Sequence, residues 1–506
     1  MWPRRRAGDR APRERPAHDP TDETAAETNT ETAGARNGRV AMPGSNLAGV
    51  SVVAGDSRRI VLDLQSKVQG AATAAVLRLE NDRDVVWLAV DGSHHRGALS
   101  ADASHLIAHA ARTAHAEGLP LVMQIESSGA DIVEGIAALH GWGTAAKAIA
   151  ECSGVVPTIS IVTGPAVSGP ALLIGLSDFV VMTEDAYAFV SGPTMVAEFT
   201  GITVSNEELG GAGAHARSSG AASAVVADLA GAWAWTEELL SYLPSNVDHL
   251  PPVTPTDDPD TRLVPEAGAL IPESSTGSYD VRDVIAALID DGISLEVRPR
   301  WAPNIVTAFA NIAGYPVGIV ANQPISLAGT LDIPASQKAA RFVAFCDAFN
   351  VPVLTLVDTP GFYPGKDLEW RGMIRHGAQL VFAYARATVP RICVILRKSY
   401  GGAYIVMDSK RMGNDLCLAW PWAELAVMGA GQAAAILQRR ASPDERAEFE
   451  RDYSERLLNP YIAAERGYVD AVIDPAETRA EICAALHILR DKREKLVSRK
   501  HDNTPL

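Results

Sequence analysis

The second half of the chain alternates between two hydrophobic periods. Ala339, Phe342, Val343 and Cys346 recur at helical spacing. A continuous apolar run, Val353-Leu-Thr-Leu-Val357, follows as a buried strand that ends in Asp358-Thr-Pro-Gly361. A further helical stretch leads to a second buried strand, Ile392-Cys-Val-Ile-Leu396. After it Arg397-Lys-Ser-Tyr-Gly-Gly-Ala403 opens an apolar helix. Strands alternating with helices predict βαβ crossovers and a parallel sheet. Ligands on such sheets sit where strands end and helices begin.

The first half follows the same grammar at a fixed offset. Gly97-Ala-Leu-Ser-Ala-Asp-Ala-Ser104 matches Gly329-Thr-Leu-Asp-Ile-Pro-Ala-Ser336 at Gly, Leu, Ala and Ser, 232 residues later. The offset persists through Leu119-Pro120 and Val351-Pro352, and it aligns Ser127-Ser128-Gly129 with Thr359-Pro360-Gly361. After one inserted residue, Val156-Pro157 aligns with Val389-Pro390. An ordered series at one offset predicts two homologous α/β domains in tandem.

Composition sets the boundaries around them. Residues 1–47 are polar, with few large apolar side chains, and read as a disordered tail. The domains are expected at 48–245 and 275–490, joined by a proline-rich linker at 246–274 and followed by a charged tail at 491–506. The net charge of −16 argues against nucleic-acid binding, so an anionic ligand must be met by local positive groups. Five scattered cysteines form no CxxC pair, which predicts reduced, buried thiols, no zinc ribbon and no bound metal. The Met1-Trp-Pro-Arg-Arg-Arg6 start has no apolar stretch behind it, and no apolar run approaches the ~18 residues of a membrane span. A cytoplasmic protein without membrane insertion is expected.

No GxSxG elbow, HExxH, P-loop or correctly placed GxGxxG is present. What recurs is a glycine-bearing turn between a buried strand and a helix: Gly164-Pro-Ala-Val-Ser-Gly169-Pro170, and Tyr400-Gly401-Gly402-Ala403. Such a turn bares backbone N–H groups at a helix start, and glycine lets a ligand approach them. This is the construction of an oxyanion hole. A tight structural turn is the other reading of the same residues.

The surrounding text resembles the carboxyltransferase (β) subunit of biotin-dependent acyl-CoA carboxylases of the propionyl-CoA/acetyl-CoA type. The resemblance rests on Ala321-Asn-Gln-Pro324, Leu327-Ala-Gly-Thr-Leu-Asp332, Lys338-Ala-Ala-Arg-Phe342, Val357-Asp-Thr-Pro-Gly-Phe362, Ile374-Arg-His-Gly-Ala378 and Arg397-Lys-Ser-Tyr-Gly-Gly-Ala-Tyr404. In the first half it rests on Glu207-Glu-Leu-Gly-Gly211 and Leu240-Ser-Tyr-Leu-Pro244. It covers about residues 70 to 490. It implies an α/β fold of two crotonase-like (ClpP/crotonase) domains and a hexamer, homo- or hetero-oligomeric, in which the first half of one subunit faces the second half of another. Transfer of CO2 from carboxybiotin to the α-carbon of a short acyl-CoA is the implied reaction, with the biotin anion removing the α-proton and no side-chain acid or base required. Biotin is carried on a partner, so separate biotin carboxylase and biotin carboxyl carrier chains are implied. By position, Gly401, Gly402 and Ala403 fall on the biotin side, and Ser168 and Gly169 on the acyl-CoA side. Gly129, Gly361 and Tyr400 are placed as substrate-binding residues. Ile405 is placed in the acyl pocket, with ordinary helix packing as its alternative. Structural roles are expected for Asp358, Arg397 and Lys398, and packing or capping for His376.

The first half departs from the family pattern. Glu126-Ser-Ser-Gly-Ala-Asp131 puts an acid where an arginine is usual, and Ser168-Gly169 replaces a Gly-Gly pair. Pro170, which follows, has no N–H to give. Gly92-Ser-His-His-Arg-Gly97 lacks the usual Phe-Gly-Gly. Two alternatives to an active subunit follow. One is a non-catalytic or half-active β-like partner in a mixed carboxylase complex. The other is the carboxyltransferase subunit of a membrane acyl-CoA decarboxylase.

Overall fold

The strands form where the sequence is continuously apolar, and the same strand plan appears twice. The computed structural model describes residues 58–64, 70–274, 276–492, 494 and 496–505. The expected tail at 1–47 lies outside the described residues. In the first half, β1 (Arg59–Asp63), β2 (Ala72–Arg78), β3 (Asp84–Val90), β4 (Leu121–Ser127), β5 (Thr158–Val167), β6 (Phe179–Thr183), β7 (Tyr187–Phe189) and β8 (Ala224–Val226) form one sheet. Its order is β1-β2-β3-β4-β5-β6-β8, with β7 added to β5. The second half provides β9 (Ser294–Glu296), β10 (Ile305–Ile312), β11 (Tyr315–Asn322), β12 (Val353–Thr359), β13 (Arg391–Tyr400), β14 (Leu416–Ala419), β15 (Glu424–Ala426) and β16 (Ala471–Val472). Its order is β9-β10-β11-β12-β13-β14-β16, with β15 added to β13. The first three strands of each sheet are antiparallel, and the strands after them run parallel.

The offset seen in the sequence holds in the backbone. Strands β4 and β12 begin and end 232 residues apart, and β5 and β13 begin and end 233 apart. After β3 the chain passes through His95, Arg96 and Gly97 at φ 47°, 56° and 67°; after β11 it passes through Leu327, Ala328 and Gly329 at 47°, 54° and 72°. Each turn delivers an N-cap to the next helix. The side chain of Ser100 accepts from Ala103 N–H ahead of the helix Ala101–Glu117, and that of Asp332 from Ala335 N–H ahead of Ile333–Ala348.

Alternation along the strands divides the core into three layers. Val86, Leu88 and Val90 of β3 pack with the helices of the first half. Their neighbours Val85, Trp87 and Ala89 face the other way, into a layer shared with the second half. There Phe179 of β6 meets Phe345 of the helix Ile333–Ala348 edge-on at 4.6 Å, and Phe309 of β10 lies 4.9 Å from Phe342. Arg341 of the same helix pairs with buried Asp178 at 2.7 Å, and Arg83 Nη1 donates to the carbonyls of Leu240 and Leu243. The far face of the second sheet has its own core, which includes Trp420 and Ile482.

The 246–274 stretch is ordered where it joins the halves. It carries the short helix Pro265–Ala269, and Val264 and Ala267 are fully buried. All five cysteines are buried and unpaired. No described helix is long and apolar enough to cross a membrane.

The turn before each capped helix lies flat on the backbone at the end of the next parallel strand. A Cβ at Gly97 would stand 2.0 Å from the Glu126 carbonyl oxygen, and one at Gly329 would stand 2.5 Å from that of Asp358. Backbone atoms cannot yield to such an overlap, and both glycines are left-handed. Gly329→Ala is therefore expected to cost at least about 2 kcal/mol. A lowered thermal midpoint by calorimetry at matched scan rate checks this.

Candidate functional site

Each half collects backbone donors where a strand-end turn meets the start of a short helix. In the second half, β12 ends at Asp358-Thr359, and Pro360-Gly361 turns with Gly361 at φ 140°. The Gly361 carbonyl accepts from Leu331 N–H at 3.1 Å, and Tyr363 N–H donates to the Leu331 carbonyl at 2.9 Å. Phe362, between them, has its N–H directed away from this pairing and without a protein acceptor among the described residues. Strand β13 runs into the helix Gly401–Val406, whose first N–H groups have no acceptor within the helix. Gly401 is left-handed at φ 62°, and a Cβ there would stand 3.2 Å from the Val427 carbonyl. A Cβ at Gly402 would stand 3.5 Å from the Phe362 ring, so the turn and the helix start adjoin. The Phe362 turn and the helix start that carries the Gly402 and Ala403 N–H groups are thus neighbours. A cleft of about 510 Å³ opens beside Gly401 and Gly402, lined also by Tyr404, Ile405, Val427 and Tyr468.

A buried polar cluster holds this corner. Asp358 accepts from Tyr279 Oη at 2.9 Å, Arg397 Nε at 3.0 Å and Lys398 N–H at 3.1 Å. Burial pushes the Asp358 carboxyl up, against the pull of Arg397. Arg397 also donates to the carbonyls of Ser274 and Gly277, tying the connector to β13. The Lys398 amine is held down by burial and by neighbouring Arg397. Tyr400 spends its hydroxyl on the Glu424 carboxylate, and burial raises its pKa. His376 packs in the helix Met373–Arg386, its ring bonded to Gln337 and Gln379.

The first half repeats the plan with fewer donors. The Gly129 carbonyl accepts from Leu99 N–H at 2.8 Å, and Asp131 N–H donates to the Leu99 carbonyl at 2.9 Å. This leaves the N–H of Ala130 without an acceptor among the described residues, as at Phe362. Gly129 is at φ 119°, and a Cβ there would lie 4.0 Å from Ser168 Cβ, so this turn also adjoins its helix, Gly169–Gly175. Of the residues expected to donate here, Ser168 has its N–H bonded to the Phe189 carbonyl at 2.9 Å, which closes the β5–β7 pairing. The Gly169 N–H has no acceptor among the described residues, and Pro170 has no N–H. Asp131, the acid at the arginine position, caps its own turn by accepting from Val133 N–H. Glu126, counterpart of Asp358, lies between two glycines: a Cβ at Gly92 would meet its Oε1 at 2.3 Å, and one at Gly164 at 3.1 Å. The counterparts of Arg397 and Lys398 are Gly164 and Pro165, so the second half's lock on its carboxylate is absent.

Sequence reasoning singled out Gly129, Gly361, Gly402 and Ala403 and did not single out Ala130 or Phe362, whose N–H groups the turn pairing leaves over. The available signal was the repeated pairing of a leucine after the left-handed turn with the strand-end glycine. Among the described residues no group of three or more His, Cys, Asp or Glu side chains is arranged to hold a metal ion.

The carboxyl transferase domain family matches residues 81–504. The propionyl-CoA carboxylase beta chain of Saccharopolyspora erythraea is 48% identical over 408 residues, covering 77% of this chain and 75% of that one. The methylmalonyl-CoA carboxyltransferase 12S subunit of Propionibacterium freudenreichii subsp. shermanii is 46% identical over 397 residues, 77% of this chain and 75% of its own. A crystal structure of transcarboxylase 12S, a hexamer assembly with hydrolysed methylmalonyl-coenzyme A bound, superposes with a TM-score of 0.84 at 41% identity, over 86% of this chain and 85% of that one. The chain belongs to the carboxyl transferase family, and its fold is that of two tandem crotonase-like domains.

The two helix-start glycines are expected to respond differently to alanine. At Gly402 an added methyl makes ordinary contact with Phe362, so Gly402→Ala should change the stability by no more than about 1 kcal/mol. At Gly169 it would stand 2.8 Å from the Trp142 ring, so Gly169→Ala should displace the indole. Near-UV circular dichroism of the two variants distinguishes them.

Proposed function

We propose that this member of the carboxyl transferase family is the carboxyltransferase subunit of an acyl-CoA carboxylase, moving a carboxyl group from carboxybiotin to the α-carbon of a short acyl-CoA such as acetyl- or propionyl-CoA. The observation that carries the reading is the duplicated half-site: one chain presents two clusters of backbone donors, built by the same turn and helix start. A transfer between two carbonyl-bearing reactants needs two such clusters. The second half, with the N–H groups of Gly402, Ala403 and Phe362, suits the ureido oxygen of biotin, and the cleft beside it has room for a small bicyclic group. The first half, with Ala130 and Gly169, is assigned to the thioester oxygen.

Carboxybiotin, when bound, supplies the carboxyl group and the base for the α-proton. The chain's own part is to fix the two carbonyl oxygens and favour negative charge on them. Amides anchored by strand pairing do this without reorganising, which suits a site where no side chain is placed as acid or base. Biotin arrives on a separate carrier protein, charged by a biotin carboxylase, and the subunits assemble as a hexamer in which the half-sites of neighbouring chains face each other. Ile405 lines the cleft from the helix Gly401–Val406 and bounds the acyl chain.

With its biotinylated partners, the purified chain is expected to carboxylate acetyl- or propionyl-CoA; an intact assembly inactive on every acyl-CoA tested overturns the reading. Ile405→Ala should shift kcat/KM toward a longer acyl chain by about 10–200-fold per methylene accommodated. Competition between propionyl- and butyryl-CoA measures it.

A further inference from the structure

The first half-site has lost amide donors yet has an unused indole beside it. Trp142 lies on the helix Ile136–Glu151. Gly141, next to it, lets this helix press on the helix Ala101–Glu117: a Cβ at Gly141 would stand 2.9 Å from Ala101 Cα and 3.0 Å from Ser104 Cβ. Glu134 reaches across and accepts from Ala101 N–H at 2.6 Å. The helix pair therefore leaves the indole little freedom. Its edge ends at Gly169, where a Cβ would stand 2.8 Å from both Cδ1 and Nε1.

Trp142 Nε1 is buried and has no hydrogen-bond partner among the described residues. A buried indole N–H usually has one. Trp87 Nε1 is also unpaired, but it lies in the layer between the sheets, away from either half-site. The repeat shows what is particular to Trp142. At the repeat offset of 232 to 233 its counterpart is Ile374 or Arg375, both exposed, and the ring lying over Gly402 is instead Phe362. Each half covers its helix-start glycine with an aromatic ring from a different element, and the first half's ring carries a donor. The second half offers the N–H groups of Phe362, Gly402 and Ala403. The first half offers those of Ala130 and Gly169, and Pro170 stands where Ala403 would be.

We infer that Trp142 Nε1–H donates to the thioester oxygen of the acyl-CoA in the place of the missing amide, an inference that rests on the acyl-CoA reading of this half-site. Indole is a donor only, so it stabilises charge on that oxygen without exchanging a proton. Its bond forms when the carbonyl enters against Gly169, as catalytic hydrogen bonds tighten in the complex.

The test is Trp142→Phe in the full assembly, with binding measured by calorimetry for an acyl-CoA thioester and for the matching S-alkyl-CoA thioether, which has no carbonyl oxygen. The expected result is a kcat lower by about a hundredfold to a thousandfold, with weaker thioester binding and unchanged thioether binding. Native kcat, or equal weakening of both ligands, overturns the inference while leaving the proposed function standing. A native assembly that binds neither ligand overturns both. If Trp142→Phe does not assemble, β-(3-benzothienyl)alanine at position 142 keeps both rings, replaces the N–H with sulfur, and gives the same outcomes.

Discussion

Everything at the two half-sites depends on a close backbone approach: a left-handed turn laid flat against the end of the neighbouring parallel strand. At Gly97 and Gly329 there is no room for a side chain above the carbonyls of Glu126 and Asp358. Because the turns sit so low, Leu99 and Leu331 pair with Gly129 and Gly361. That pairing occupies the glycine carbonyl and turns the next N–H outward, at Ala130 and Phe362. The same approach sets Ser100 and Asp332 to cap the following helices. One steric condition therefore fixes the turn, the cap and the first donor in both halves.

On this common frame the halves have diverged in their polar parts. The second half keeps a buried carboxylate saturated by a tyrosine, an arginine and a backbone N–H, and that cluster also anchors the connector. The first half replaces the arginine and lysine positions with Gly164 and Pro165, and its carboxylate occupies the space they vacate. Its helix start gives up one amide, to Pro170 in the place of Ala403. The backbone geometry survives these exchanges because it is set by glycines and strand register rather than by the substituted side chains.

The repeat was legible in the sequence because its spacing is carried by residues with steric duties, such as Gly97 and Gly329, and the structure preserves the offset strand by strand. The strand-to-helix step at Gly402 and Ala403 stood out for the same reason: a glycine-rich step of this kind bares amides whatever lies around it. Ser168 was misjudged as a donor because its N–H direction depends on β7, a three-residue strand whose pairing no local pattern reveals. Ala130 and Phe362 escaped notice because an N–H is freed there only by what its neighbours bond. The position of Trp142 was beyond reach, since it depends on how two helices pack across Gly141.

The apolar layer shared by the two sheets, with Phe179 against Phe345 and Phe309 against Phe342, has a bearing on the history of the chain. A duplicated domain that kept a private core could be deleted once its chemistry lapsed. Here each copy supplies a wall of the other's interior, so loss of either would expose the remaining one to water. The duplication is in that sense a ratchet: each copy can exchange its functional groups, but neither can be discarded.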